Sequence, residues 1–256
     1  MLADAYDAIL LDLDGVLYRW PEPIPGAAEA VAALRGAGKR IAFLTNNSSR
    51  TPAQVAERLG SVGVDAEPEE VLTSAIVTAA ILAERGADSA FVVGEDGLLE
   101  ALAAAGIRIV SDTSDETDVV VVGFDRGADY TKLKDASILV ERGVALVASN
   151  ADASFPAPGG ESWPGAGALL AAIETTTGTH GEVIGKPEAP LFERALASAG
   201  GGRPLVVGDR LDTDIAGAAR LGWDSALVLT GDALREDVES SPWQPTFVLH
   251  DLSDLV

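Results

Sequence analysis

Short apolar segments alternate with helical segments along most of the chain, and this alternation limits the possible folds more than any other feature. Residues 8–13 and 40–44 have the pattern of strands, and a helix ending near Gly36 separates them. Thr51 followed by Pro52 indicates a helix start, because Thr caps free N–H groups and Pro suits the first helical position. Strands joined through helices form parallel sheets, so the sequence predicts an α/β fold.

The middle of the chain repeats this rhythm with five further segments, at residues 90–93, 98–105, 119–122, 130–142 and 145–148. These segments suffice for a second, smaller α/β layer. A region rich in proline and glycine, residues 155–167, interrupts the pattern. Buried strands of the parallel type resume at residues 205–207 and 226–229.

Composition excludes several kinds of chemistry. The 256 residues are 47% hydrophobic, enough for one large core or two modest cores. The absence of cysteine rules out disulfides, thiolate nucleophiles and thiolate metal sites, and the two histidines lie in no metal motif. A net charge of −22 opposes binding to nucleic acid or to anionic membranes. With no signal sequence or segment of membrane-spanning length, we expect a cytoplasmic protein.

The first predicted strand ends in two aspartates, Asp12 and Asp14, followed by Gly15. Ligands of open α/β sheets bind at the carboxyl ends of the strands. Side chains two residues apart point to the same side of a strand, so both carboxylates can reach one site. Taken alone, the Asp-Gly pair is more typical of a surface turn with a solvated aspartate, but its position and the later motifs favour a site.

Two further motifs could bind an anion. Thr45, Asn46 and Asn47 follow the second strand and precede a helix start, where hydroxyl, amide and backbone N–H groups suit a phosphate. Lys186 lies before Pro187, which favours an extended backbone and excludes a Walker loop. Each motif alone also fits an ordinary polar loop or a surface lysine.

A third acidic group, Asp209, Asp212 and Asp214, follows the strand at residues 205–207. Two carboxylates about 4 Å apart repel by roughly 4 kcal/mol at an effective dielectric of 20. Gathering Asp12, Asp14 and Asp209 at one sheet edge therefore calls for a cation, and oxygen ligands beside a phosphate favour Mg²⁺. Asp212 equally fits a helix cap.

The four motifs, in this order and at these strand ends, resemble the haloacid dehalogenase superfamily of phosphotransferases. The long insertion after the second motif resembles the p-nitrophenyl phosphatase-like branch. The resemblance implies a Rossmann-like core of residues 1–78 and 182–256 and an inserted α/β cap of residues 79–181. It also implies that the cap contributes specificity residues and often forms a homodimer contact. Candidates for specificity are Asn150, Asp152, Trp163 and the loop around Trp20.

The resemblance also assigns roles to individual residues. It implies that Asp12 is the nucleophile and that Asp14 is first the acid and then the base. Thr45, the Asn46 backbone, Asn47 and Lys186 would bind the phosphoryl group, and Lys186 would also neutralise charge during catalysis. Four residues would form the magnesium site, namely Asp12, the Asp14 carbonyl, Asp209 and Asp214.

The implied activity is hydrolysis of a small-molecule phosphate monoester through an aspartyl phosphate. One alternative is a catalytically silent phosphate-binding protein, which would be expected to lack Asp12 or Asp14. A second is a phosphotransferase or mutase of the same superfamily, whose cap usually lies between the first two motifs. The substrate stays open among glycerol phosphate, sugar phosphates, nucleotides and pyridoxal phosphate.

Overall fold

The computed structural model describes residues 1–157 and 161–256. In these residues the chain forms fifteen strands: β1 (Ala8–Asp12), β2 (Tyr18–Arg19), β3 (Glu22–Pro23), β4 (Arg40–Thr45), β5 (Val71–Thr73), β6 (Ser89–Val93), β7 (Arg108–Val110), β8 (Val119–Val122), β9 (Ala145–Ala148), β10 (Ser154–Ala157), β11 (Glu161–Pro164), β12 (Glu182–Val183), β13 (Pro204–Gly208), β14 (Asp224–Val228) and β15 (Phe247–Leu249).

The same residues form nine α-helices: α1 (Ala27–Gly36), α2 (Pro52–Ser61), α3 (Ser74–Glu84), α4 (Asp96–Ala104), α5 (Tyr130–Glu141), α6 (Ala166–Thr177), α7 (Ala189–Ser198), α8 (Ala216–Leu221) and α9 (Arg235–Ser240). A π-helical turn at Leu211–Ile215 leads directly into α8. None of the helices in the described part of the chain combines the length and apolar character of a membrane span.

The chain divides into two compact units. The first comprises Met1–Thr45, Pro52–Leu72 and Lys186–Val256, and the second comprises Asn46–Thr51 and Thr73–Gly185. This division differs from the predicted boundaries, because residue 79 lies inside α3, which belongs wholly to the second unit. The sequence patterns do not reveal α3, since its apolar residues lie on every side of the helix instead of forming one stripe.

The first unit contains a six-stranded sheet in the order β15-β14-β13-β1-β4-β5. Every pairing from β15 to β4 is parallel. Residues 8–11 of β1 are all buried, as expected for a central parallel strand covered on both faces. This arrangement confirms the predicted α/β fold, and it brings the carboxyl ends of β13, β1 and β4 side by side.

The second unit has its own five-stranded parallel sheet, in the order β12-β9-β8-β6-β7. An antiparallel hairpin, β10 and β11, occupies much of the region predicted only as an interruption. Phe155 and Trp163 face each other across this hairpin with their rings edge to face. Residues 158–160 of the predicted interruption lie outside the described residues.

The close packing of Gly217 in α8 against the Phe192 ring can be tested by substitution. A Cβ at Gly217 would lie 2.2 and 2.4 Å from two Phe192 ring carbons, whereas a Cβ at Gly36 would meet nothing within 4 Å. We expect Gly217→Ala to lower the free energy of unfolding by about 1–3 kcal/mol through overpacking. The matched control Gly36→Ala should be neutral or stabilising by up to about 1 kcal/mol. Urea denaturation followed by circular dichroism measures both, and equal stability of the two variants would contradict the packing.

Candidate active site

The site in the first unit is built where three neighbouring strands end. Asp12 is the last residue of β1, and its register partner on β4 is Leu44, so Thr45 follows immediately beside it. On the other side, Leu11 pairs with Val207, and Asp209 follows the end of β13. Parallel pairing alone therefore brings together side chains that lie almost two hundred residues apart in the sequence.

Carboxylate oxygens of Asp12, Asp209 and Asp214 lie within 4.8 Å of one another. The Lys186 ammonium lies among them, with Nζ 2.7 Å from Asp12 Oδ1 and 2.7 Å from Asp214 Oδ1. The Lys186 side chain is 4% exposed and that of Asp214 is 1% exposed. These four residues form the carboxylate cluster, in which three acids face one base.

Burial dominates the electrostatics of this cluster. It raises the pKa of Asp12 well above the ordinary value, and the charges of Asp214 and Asp209 raise it further while Lys186 opposes the shift. Burial, followed by the charge of Asp214, raises the pKa of Asp209 to about 7. Burial disfavours the charged form of Lys186, but the carboxylates of Asp12 and Asp214 outweigh it and raise its pKa. Three acids sharing one base are therefore short of positive charge.

Glycines leave the space that Asp209 and Asp214 occupy. Gly15 adopts a φ of +78°, and a Cβ there would lie 2.2 Å from Asp209 Oδ2. A Cβ at Gly208 would lie 2.2 Å from the Asp214 carboxyl carbon. Backbone amides then orient both acids, because Asp232 N–H donates to Asp209 Oδ2 at 2.7 Å and Arg210 N–H donates to Asp214 Oδ2 at 3.2 Å.

Asp14 has a separate environment. Burial raises the pKa of its carboxyl group, whereas the charges of Arg58 and Lys186 and an interaction with the Tyr18 hydroxyl lower it in part. The sequence patterns single out neither Tyr18 nor Arg58. Tyr18 lies four residues after Asp14 and Arg58 lies within α2, and neither belongs to a motif.

Comparison with known proteins identifies the family. Residues 9–108 match the haloacid dehalogenase-like hydrolases, and residues 183–255 match a family described as HAD-hydrolase-like. An acid sugar phosphatase of Staphylococcus epidermidis is 38% identical over 251 residues, which cover 97% of this chain and 96% of that protein. The chain belongs to the haloacid dehalogenase-like phosphatases.

Solved structures agree with this assignment. A glycerol phosphate phosphatase of Mycobacterium tuberculosis, crystallised with magnesium, superposes with a TM-score of 0.94 at 37% identity, covering 99% of this chain and 77% of that one. A p-nitrophenyl phosphatase of Archaeoglobus fulgidus superposes with a TM-score of 0.91 at 34% identity, covering 98% of each chain. The predicted relation to the p-nitrophenyl phosphatase-like branch is thereby confirmed.

The structure distributes the predicted phosphate-binding residues of this phosphatase over both units. Thr45 is buried at the end of β4 in the first unit. Asn46 and Asn47 belong to the second unit, where Asn46 Nδ2 donates to the Asp152 carboxylate at 3.1 Å. Asn47 Oδ1 accepts hydrogen bonds from the backbone N–H and the hydroxyl of Ser49. The phosphate-binding role of these three residues stays a prediction.

The remaining candidate residues also belong to different units, Asp212 to the first and Asn150 and Trp163 to the second. Asp212 lies outside the carboxylate cluster and forms an ion pair with Arg210 at 2.8 Å. Asn150 is buried, and its Nδ2 donates to the Asn46 carbonyl at 2.7 Å. Trp163 donates from its ring N–H to Glu161 and is 42% exposed. Asn150 thus has a structural role within the second unit, and Trp163 is only partly exposed.

The shortage of positive charge predicts that removing one acid stabilises the metal-free protein. The folded-state pKa of Asp209, about 7, lies above its ordinary value of 3.8. Ionisation of Asp209 therefore destabilises the fold, with a penalty absent below about pH 4 that grows as the pH rises to about 7. We expect Asp209→Asn in excess chelator to raise the free energy of unfolding by on the order of 2 kcal/mol at about pH 8, and by little at about pH 4.

The matched control is Asp212→Asn, which removes an exposed aspartate two residues from Asp214 and should change stability by less than about 0.5 kcal/mol. Urea denaturation at both pH values measures the difference. A destabilised Asp209→Asn protein at about pH 8 would contradict the predicted repulsion.

Proposed function

We propose that this phosphatase hydrolyses a small-molecule phosphate monoester in two magnesium-dependent steps, with a phosphorylated Asp12 as the intermediate. One observation carries the proposal. Lys186 Nζ lies 2.7 Å from both Asp12 and Asp214, inside a cluster of three carboxylates at the carboxyl ends of β1 and β13. A buried nucleophile, a fixed cation and an acidic metal-binding group are thus concentrated in one place.

The residues present fit a bound magnesium ion. Asp12, Asp209 and Asp214 offer hard oxygen ligands within 4.8 Å of one another, and one ammonium does not balance three carboxylates. We propose that these carboxylates hold the ion together with the backbone carbonyl of Asp14, and that Asp214 acts through water or by positioning Asp209. When bound, magnesium keeps the carboxylates ionised and polarises the phosphoryl oxygens.

In the first step, a carboxylate oxygen of Asp12 attacks phosphorus and the bond from phosphorus to the ester oxygen breaks. Asp14 gives its proton to the departing oxygen, and its raised pKa favours the protonated form that this transfer needs. Lys186 keeps its positive charge, because the neighbouring carboxylates raise its pKa, and it offsets charge on Asp12 and the phosphoryl group.

In the second step, water attacks the phosphorus atom of the aspartyl phosphate. Asp14, now ionised, accepts a proton from this water, and the bond between phosphorus and the Asp12 oxygen breaks. Inorganic phosphate leaves, and both aspartates return to their starting states. Thr45 and the backbone of Asn46, with Asn47 and Lys186, are the proposed ligands of the phosphoryl oxygens.

The substrate class is a further part of the proposal. The acid sugar phosphatase and the glycerol phosphate phosphatase among the relatives support a phosphate ester of a small polyol or sugar. We propose that the second unit, whose main segment is Thr73–Gly185 where the sequence predicted residues 79–181, acts as the cap and that Asp152 and Trp163 help to select the substrate. Homodimer formation through the cap and a cytoplasmic location stay predictions.

The mechanism predicts different outcomes for the two neighbouring aspartates. Asp12→Asn removes the nucleophile, so turnover should vanish. Asp14→Asn keeps the nucleophile but loses proton transfer, and turnover should fall on the order of 10²- to 10⁴-fold. With p-nitrophenyl phosphate, whose leaving group needs little protonation, the Asp14→Asn enzyme should accumulate phosphate on Asp12.

Rapid acid quench followed by mass spectrometry of the Asp12 peptide detects this adduct. The Asp212→Asn enzyme, altered outside the cluster, serves as the control and should retain turnover without an adduct. Phosphate on any residue other than Asp12 would overturn the assignment.

Metal dependence provides a second test. Hydrolysis of p-nitrophenyl phosphate should stop in excess chelator and return when Mg²⁺ is added, because the carboxylates need charge compensation. Ca²⁺ should restore little activity, since its larger and looser coordination shell would misplace Asp12 relative to phosphorus. A steady-state assay at saturating metal measures both effects, and full activity in chelator would refute a metal-dependent reaction.

A further inference from the structure

We propose that Tyr18 and Arg58 are positioning residues that hold the Asp14 carboxyl group in the orientation required for proton transfer to the leaving group. This inference deepens the proposed function and rests on it. Its starting point is the turn that carries both residues, in which Asp14 and Tyr18 form an isolated bridge and the Tyr18 hydroxyl interacts with the Asp14 carboxyl group. Neither side chain belongs to the carboxylate cluster that would bind metal and phosphate.

The backbone fixes Tyr18 relative to Asp14. The Gly15 N–H donates to the Tyr18 carbonyl at 2.8 Å, and Asp14 and Tyr18 form an isolated bridge across the turn. A distant segment of the chain also stabilises this turn, because the Thr230 hydroxyl donates to the Gly15 carbonyl at 2.6 Å. Tyr18 is also buried, with 2% of its surface exposed. The backbone and the burial therefore restrict the phenol ring to the neighbourhood of Asp14, where its hydroxyl interacts with the Asp14 carboxyl group.

The guanidinium group of Arg58 packs against the Tyr18 ring. Its guanidinium carbon lies 5.0 Å from the Tyr18 ring centroid and 3.7 Å from that of Trp20. The two rings meet edge to face, with centroids 6.0 Å apart. The planar guanidinium of Arg58 can stack on the Trp20 indole and contact the Tyr18 ring at the same time. Its positive charge also lowers the pKa of Asp14.

The effect of Tyr18 and Arg58 on catalysis should depend on the leaving group of the substrate. A basic leaving oxygen needs the Asp14 proton in the transition state, so a misaligned Asp14 slows its departure strongly. An acidic leaving group such as p-nitrophenolate departs with little help. The ratio kcat/KM covers only the steps up to phosphoryl transfer to Asp12, so the later hydrolysis of the intermediate does not mask the difference.

The decisive variant is Tyr18→Phe, which keeps the ring and removes the hydroxyl. Its kcat/KM should fall about tenfold more for phenyl phosphate than for p-nitrophenyl phosphate, when each is compared with the unaltered enzyme. The matched control is Tyr6→Phe, which removes the hydroxyl of another buried tyrosine in the first unit, one that interacts with Asp224. This control should change kcat/KM equally for both esters, and thermal unfolding checks that both variants are folded.

Arg58 supplies a second, independent measurement. Arg58→Met should show the same dependence on the leaving group as Tyr18→Phe, and Arg58→Lys should recover part of the loss because it keeps the charge. Equal losses for the two esters, or no loss, in both Tyr18→Phe and Arg58→Met would overturn the inference.

These measurements distinguish failure of the proposed function from failure of the positioning role. If the unaltered enzyme hydrolyses neither ester with Mg²⁺ present, the proposed function fails and the inference falls with it. If the unaltered enzyme hydrolyses both esters and the two variants respond equally to both, the proposed function stands and only the positioning role of Tyr18 and Arg58 is refuted.

Discussion

The buried ion pairs of Lys186 with Asp12 and Asp214 are the interaction on which the site depends. A buried ammonium is stable only with good geometry and enough partners, and removing one partner leaves an uncompensated charge. The ion pairs thus join the end of β1 to the π-helical turn before α8. They also hold Asp12 in place, and one ammonium leaves part of the negative charge of the three carboxylates uncompensated.

The sheet makes this concentration of charge possible. Parallel pairing requires all neighbouring strands to end at one edge, and the backbone groups beyond each end are free to bind side chains or ligands. Asp209 and Asp214 each accept a backbone hydrogen bond there, and glycines leave room for their carboxyl groups. In a protein with a net charge of −22, an anionic substrate is attracted only by such local arrangements of cations and dipoles.

The sequence was informative wherever a local pattern matched a local structure. The strand at residues 119–122 was predicted with its observed ends, and the acids at the ends of β1 and β13 were correctly expected to meet. Helix α3 was missed because apolar residues lie all round it and give no helical period, and the hairpin of β10 and β11 because proline and glycine normally indicate a break. Tyr18 and Arg58 were missed for a different reason, since their electrostatic interaction with Asp14 exists only after the chain has folded.

The first unit is discontinuous, and this affects the order in which the protein can fold. Its central strand β1 pairs with β13, so that Ile9 lies opposite Leu205. On the ribosome, β1 therefore emerges long before its partner exists, whereas most of the second unit is one continuous segment, Thr73–Gly185. Contacts between distant segments form slowly because loop closure must precede them. The second unit can thus fold during synthesis, while the catalytic sheet and its buried lysine must wait for the last third of the chain.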